Sequence, residues 1–326
     1  MQLDPRILPS VDAVRAAAHR VRDIMSPSPL TRHEALSDDA GVEVLLKREL
    51  DNPTGSFKVR GAYNVLASMT PDDRARGVVA SSAGNHGLGV AFAARAFETP
   101  ALLFVPADAP NVKKDGIRAL GAIVDDSAPD YDAAMVLAKL HAAQHQICFI
   151  NPCLGVDLLA GQGTVALEVL EQCPTVATVL ICTGGGGLLG GMGAVLRVLA
   201  PHVRIVGVQS TETAAMHKSV VAGRVIEIPH TPTLADGLAG QIDDDALHIG
   251  QTCADEIVLV TEDELAETIA WMAHDDGTVV EGAGAVTVSA LRHRRVVPVA
   301  GPVVALLSGR NIDAARHHAL LARFPM

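Results

Sequence analysis

Lys58 stands in the run Asn52-Pro53-Thr54-Gly55-Ser56-Phe57-Lys58-Val59-Arg60-Gly61. Upstream, the apolar stretch Val42–Leu46 reads as a strand; downstream, Ala62–Leu66 has a helical pattern. A lysine at such a strand-to-helix turn, beside Gly55 and an aromatic, is placed to face a cleft, where its amine can attack a carbonyl. Taken alone, Lys58 reads first as a solvated cation near a helix start, because lysines are mostly exposed. Three further turns change that reading.

Thr183-Gly184-Gly185-Gly186-Gly187-Leu188-Leu189-Gly190 lies between a predicted strand and a predicted helix. Consecutive glycines let the backbone approach an anion, and the helix N-terminus adds its positive dipole end. A monophosphate, a dinucleotide or a tight structural turn all remain open for this loop alone. The dinucleotide reading needs an acid about 20 residues on, at the end of the next strand; the strand Val203–Val208 ends instead in Gln209. Ser81-Ser82-Ala83-Gly84-Asn85-His86-Gly87 also follows a strand and opens a helix, and can cradle a carboxylate. Its plain alternative is a capped helix with Asn at a turn. Leu306-Leu307-Ser308-Gly309-Arg310-Asn311 sets a hydroxyl at the mouth of a buried strand. A lysine, a monophosphate loop and a carboxylate loop facing one cleft describe pyridoxal-phosphate chemistry.

The elements that position these residues alternate from Gly77 onward. Strands are expected at 78–80, 101–105, 122–124 and 147–150, with helices at 88–97, 111–120 and 130–145. Such alternation implies right-handed βαβ units and a parallel sheet. A second layer follows, with a helix opening at the glycine turn Gly161-Gln162-Gly163-Thr164, strands at 176–182, 203–208, 256–260 and 303–307, and helices at 188–199, 262–274 and 285–292. An amphipathic helix is expected over 10–25, capped by Ser10. The expectation is α/β: a small domain over 77–151 and a larger one over 1–76 and 152–326, with the cleft between them.

Composition narrows the functions. The 326 residues carry a net charge of −11 and only 3% aromatics, which leaves neither a basic stripe nor a stacking platform for nucleic acid. Five cysteines without a Cys-x-x-Cys pair suit a reducing compartment. No apolar run reaches the roughly 18 residues of a membrane span, and the N-terminus lacks a signal-peptide segment. The reading is a cytoplasmic enzyme with a small-molecule substrate. His141 and His145 read as solvated, Asp243-Asp244-Asp245 as an exposed loop, and His317-His318 as part of a tail helix.

Six stretches together resemble the serine/threonine dehydratase and serine racemase group of fold type II pyridoxal-phosphate enzymes (the tryptophan synthase β fold). They are Gly55–Ala62, Ser82–His86, Gly161–Thr164, Gly184–Gly187, Leu234–Gly237 and Leu307-Ser308-Gly309-x-Asn311, and they span nearly the whole chain. The resemblance implies two open, twisted parallel-sheet domains, pyridoxal 5'-phosphate as cofactor and a homodimer. It implies that Lys58 carries the cofactor, Phe57 packs on it, Asn85 bonds its ring oxygen, and the N–H groups of Gly184, Gly185, Gly186, Gly187 and Leu188 hold its phosphate. Ser308 would meet the pyridine nitrogen. Ser82, Ala83, Gly84, Asn85, His86 and Gly237 would line the substrate. The implied reaction removes water from a β-hydroxy amino acid to give a 2-oxo acid and ammonia. Racemisation is the alternative, with a nucleotide-dependent oxidoreductase further off.

The chain departs from that pattern at Ala83, Gln209, Ala215 and Arg310, and at Gly282, where a proline is common. Ala83 stands where racemases of the group have a proton-carrying serine. Gln209 and Ala215 replace carboxylates that hold a divalent cation in many members, so no metal is expected. Arg310, beside Ser308, would narrow the pocket or favour an acidic substrate. The chain ends near the end of the catalytic unit, which suggests a degradative role without a regulatory domain.

Overall fold

The computed structural model describes residues 3–325. In chain order the strands are β1 (Leu30–Arg32), β2 (Val44–Arg48), β3 (Val78–Ser81), β4 (Ala101–Pro106), β5 (Ile123–Ala128), β6 (Cys148–Phe149), β7 (Thr178–Cys182), β8 (Arg204–Ser210), β9 (Glu256–Val260) and β10 (Val303–Leu307). They form a six-stranded sheet of order β1-β2-β10-β7-β8-β9 and a four-stranded sheet of order β5-β4-β3-β6. Every pairing is parallel except β1 with β2 at the edge. The two sheets with their helices match the expected α/β class. The Lys58 segment joins the six-stranded sheet through β2, which pairs with β10 from the far end of the chain.

Apolar runs explain the centre of the larger sheet. All residues of β7 and β10 are buried, as expected for parallel strands covered on both faces. The edge strand β1 is only half-buried or exposed. Around the smaller sheet, the helix Tyr131–His145 packs Ala134, Ala138 and Ala142 against Val79 and Phe104. Alanines at this i, i+4 spacing keep the helix close to the strands.

Several boundaries differ from the sequence reading. Gly161-Gln162-Gly163-Thr164 is not a turn that opens a helix; it lies in the middle of the helix Val156–Gln172. The glycines there serve packing. A Cβ on Gly161 would stand 2.5 Å from the Arg60 carbonyl oxygen and 2.6 Å from the Gly61 Cα. The helix Lys58–Ser68 therefore crosses Val156–Gln172 backbone to backbone. Asp243-Asp244-Asp245 is not a loop either: Asp243 caps the helix Asp244–Cys253 by accepting from the Ala246 N–H at 2.9 Å. Acids in a first helical turn complement the dipole. The helices at Asn85 and Gly282 begin three residues before their apolar periodicity does, and Glu34–Ala40, Pro71–Arg76 and Ala215–Ala222 are short helices the pattern did not mark. The first helix ends at Val21 rather than Met25, with Ser10 capping it as expected.

Two glycine substitutions separate packing from backbone freedom. Gly161→Ala should lower unfolding free energy by about 1–3 kcal/mol through overpacking. Gly116→Ala, whose Cβ would meet only Leu88 at 3.5 Å, should be neutral or stabilise by up to about 1 kcal/mol. Urea midpoints measure both, and equal midpoints would refute the crossing described here.

Candidate active site

Three neighbouring strands of the larger sheet end at one edge. β2 leads into the Lys58 turn, β10 into Ser308, and β7 into the glycine loop; β10 lies between the other two and parallel to both. Ligands in open α/β sheets bind beyond such carboxyl ends. The first two exits are stitched together. The Phe57 N–H donates to the Ser308 carbonyl at 3.1 Å, the Arg310 N–H to the Gly55 carbonyl at 2.9 Å, and Ser56 bridges to Gly309. Gly55 sits at φ 73°, a left-handed conformation that a side chain would strain.

Lys58 is the first residue of its helix. Its Nζ donates to the Pro152 carbonyl at 2.7 Å and lies 5.3 Å from the centre of the Phe57 ring. Pro152 follows β6 of the smaller sheet, so the lysine amine spans the gap between the two sheets. Phe57 is buried, and Ser308 is only 2% exposed, its hydroxyl 3.3 Å from the Ala283 carbonyl.

The glycine loop is a cradle of donors. Among the described residues, the N–H groups of Gly184, Gly185, Gly186, Gly187 and Leu188 donate to no protein group. Gly186, at φ 93°, turns the chain into the helix Gly187–Leu199. Side chains would close the cradle: a Cβ on Gly185 would stand 2.6 Å from Cys153 Sγ, and one on Gly184 would stand 3.1 Å from the Leu238 Cα. Free N–H groups at a helix N-terminus fit a phosphate, Lys58 fits an aldehyde partner, and the enclosed Ser308 hydroxyl fits a ring nitrogen. This donor set accommodates pyridoxal phosphate.

The other loop comes from β3. The Gly84 N–H donates to Ser82 Oγ at 3.1 Å, leaving the Ser82 hydroxyl hydrogen free. The N–H groups of Ala83, Asn85 and His86 have no partner among the described residues. Asn85 is held on both sides: its Nδ2 donates to Glu281 Oε1 at 2.6 Å, and its Oδ1 accepts from Asn311 Nδ2 at 2.6 Å. His86, expected to line the substrate, does not offer its side chain to a carboxylate. Its Nε2 lies 2.9 Å from the Ile150 carbonyl, which can only accept, so Nε2 carries the proton. Burial, and then the Lys58 ammonium, push its pKa down to about 3. The ring is neutral, Nδ1 offers only a lone pair, and His86 can serve a carboxylate through its backbone N–H alone. Gly237 follows Asp236, whose carboxylate lies 3.5 Å from Lys113 Nζ of the smaller sheet's layer.

Arg310 does not narrow the pocket as expected. Its side chain is 48% exposed, with the guanidinium 3.9 Å from the Asp51 carboxylate. Gln209 is buried and occupied at both ends, donating to the Thr213 carbonyl at 2.7 Å and accepting from the His217 N–H at 2.8 Å. No group of three or more His, Cys, Asp or Glu residues among those described is placed to hold a metal.

Glu281 is the functional candidate that sequence reasoning passed over. It is 5% exposed and touches Asn85 from 196 residues away in the chain. Burial, and then the Asp236 carboxylate, raise its pKa from 4.5 to about 7. A raised carboxyl holds its proton in the fold while the unfolded chain has lost it, so stability falls as pH rises from 4.5 to 7 and then levels off. The loss should be up to about 3 kcal/mol. Urea unfolding of the apoprotein at pH 5, 6, 7 and 8 should show that slope, and Glu281→Gln should flatten it. Parallel curves for the two proteins would refute the assignment.

Comparison with known proteins agrees with this geometry. A family model described as pyridoxal-phosphate dependent enzyme matches residues 21–309. The L-threonine ammonia-lyase of Geobacter sulfurreducens is 37% identical over 301 residues, covering 92% of this chain and 75% of that protein. The processed form of threonine deaminase isoform 2 from Solanum lycopersicum superposes with a TM-score of 0.88 at 29% identity, covering 97% of this chain and 90% of that one. Maize serine racemase gives a TM-score of 0.89 at 25% identity, covering 97% and 98%. With a lysine, a donor-lined glycine loop and an enclosed serine at three adjacent strand ends as its candidate site, the chain belongs to the family of pyridoxal-phosphate dependent enzymes.

Proposed function

We propose that the chain is an ammonia-lyase that eliminates water from a β-hydroxy amino acid (L-threonine, L-serine or a related 3-hydroxy amino acid), releasing a 2-oxo acid and ammonia. The observation that carries this reading is the convergence of Lys58, Ser308 and the glycine loop at the ends of β2, β10 and β7. The threonine ammonia-lyase and threonine deaminase relatives support the substrate class.

Pyridoxal phosphate, when bound, supplies an electron-withdrawing ring that acidifies the α-hydrogen of an amino acid joined to it. The N–H groups of Gly184–Leu188 and the dipole of the following helix would hold its phosphate. Ser308 would face the pyridine nitrogen with a neutral hydroxyl, and Asn85, steadied by Glu281 and Asn311, would face the ring oxygen. The substrate carboxylate would be held by the Ser82 hydroxyl and the N–H groups of Ala83, Asn85 and His86. Lys58 Nζ, once freed, would take the α-proton as general base. The β-hydroxyl leaves as water, and that water is returned when hydrolysis frees ammonia, so the net reaction consumes none.

A racemase needs a second proton carrier on the face opposite Lys58. By the family resemblance Ala83 occupies that position, and a methyl group moves no proton, so elimination is favoured. All five cysteines are free thiols, and no helix among the described residues is long and apolar enough to cross a membrane. We propose further that the enzyme is cytoplasmic, a reading supported by its free thiols, and that it is a homodimer, as the family resemblance implies.

The test is release of 2-oxo acid and ammonia from L- and D-serine, L-threonine, allo-threonine and the 3-hydroxyaspartates. L-threonine or L-serine should turn over, and Lys58→Ala should lose at least about a thousandfold. The exposed position of Arg310 predicts no preference for the hydroxyaspartates. Full loading with cofactor and no elimination from any of these substrates would contradict the proposal.

A further inference from the structure

Below the Lys58 turn lies a closed cluster of four charges that sum to zero: Lys47, Glu49, Arg60 and Glu168. The side chains of Lys47, Glu49 and Arg60 are 0% exposed, and that of Glu168 is 14%. Arg60 forks to both acids. Its Nε and Nη2 donate to Glu49 at 2.7 and 2.8 Å, and its Nη1 and Nη2 to Glu168 at 2.6 and 3.0 Å. Nη1 also reaches the Thr164 hydroxyl at 3.0 Å. Glu49 is saturated in turn, accepting from Ser28 Oγ at 2.5 Å and from Asn52 Nδ2 at 2.7 Å. That same Asn52 amide points at the Ser56 carbonyl, 3.4 Å away. Lys47 completes the far side, donating to Glu168, the Ser28 carbonyl and Gln172 at 2.7, 2.7 and 2.8 Å.

Burying four charges stabilises a fold little more than an apolar cluster of the same shape would. Stability therefore does not explain why the charges sit here, whereas their placement does suggest a role. Glu49 directly follows β2 and precedes the turn, Asn52 lies inside it, and Arg60 stands two residues after Lys58, about 200° around the helix. Lys58 points to the cleft and Arg60 to the core from the same helical turn. Planar forks to two carboxylates fix that turn in rotation as well as position, which a single ammonium cannot do.

We propose that Arg60, through Glu49, is a positioning residue for Lys58: the paired forks lock the Asn52–Lys58 turn so that Nζ is delivered to the cleft at one depth. The proposal rests on the reading of Lys58 as the cofactor-bearing amine. Lys47 belongs to the same cluster but touches no part of the turn, and it serves as the internal control.

The test compares wild type, Arg60→Lys, Glu49→Gln and Lys47→Met. The measurements are thermal midpoint, kcat and KM, the pH midpoint of the cofactor band near 400 nm, and hydrogen exchange of residues 52–58 in the apoproteins. Arg60→Lys and Glu49→Gln should lose about 10- to 100-fold in kcat, keep KM within about threefold, move the band's pH midpoint and speed exchange over 52–58. Lys47→Met should lose comparable thermal stability yet keep kcat within about twofold. A kcat loss that simply follows thermal midpoint through all three variants would overturn the proposal, as would unchanged band and kcat in Arg60→Lys and Glu49→Gln. Should Arg60→Lys fail to fold, Glu49→Gln decides alone. A wild type that forms no band with added pyridoxal phosphate would instead sink the cofactor reading. Exchange over 52–58 would then still judge the lock: faster only in Arg60→Lys and Glu49→Gln supports it, and equal rates in all three variants overturn it.

Discussion

The helix that begins at Lys58 touches two neighbouring helices at positions where they have no side chain. On one side Gly161 meets the Arg60 carbonyl and Gly61; on the other, a Cβ on Gly89 would stand 3.1 Å from the Lys58 carbonyl carbon. Gly89 belongs to the helix that follows β3 of the smaller sheet, and Gly161 to a helix packed on the larger one. The Lys58 helix is thus held against both layers at backbone distance. Close packing of this kind transmits displacement rather than absorbing it. The joining of the two layers therefore constrains where the backbone of the Lys58 helix can lie.

Around that contact the polar groups divide by origin. The larger sheet contributes the donor-lined glycine loop, Ser308 and the lysine turn, the last two stitched by backbone hydrogen bonds between Phe57 and Ser308 and between Arg310 and Gly55. The smaller sheet contributes free N–H groups of the Ser82–His86 loop and the Pro152 carbonyl that receives the Lys58 amine. Asn85, Glu281 and Asn311 tie the two contributions together in one chain of hydrogen bonds. Burial at this junction pushes the Glu281 carboxyl up to about 7.

Much of this was legible in the sequence where the signal was local. The apolar runs of β7 and β10, the glycine run after β7 and the Ser-Ala-Gly-Asn-His loop after β3 are contiguous features, and each lies where the pattern put it. What escaped depends on contacts distant in sequence. A glycine that opens a turn and one that admits a neighbouring helix have the same letter, so Gly161 was misread. The Asn85–Glu281 contact and the Arg60–Glu168 fork join residues far apart in sequence, and no periodicity marks them. His86 reads as a substrate-lining residue from its place in the loop; only its carbonyl partner and burial reveal a neutral, engaged ring. Arg310 looked obstructive by adjacency to Ser308, yet its side chain leaves toward Asp51.

The most direct measurement of the central claim is to load the protein with pyridoxal phosphate, reduce it with borohydride, and map the pyridoxyl label by peptide mass spectrometry. The chain has six lysines: Lys47, Lys58, Lys113, Lys114, Lys139 and Lys218. The account predicts stoichiometric label on the peptide containing Lys58 and none elsewhere. Label spread over the surface lysines, or found at a single other lysine, would contradict it.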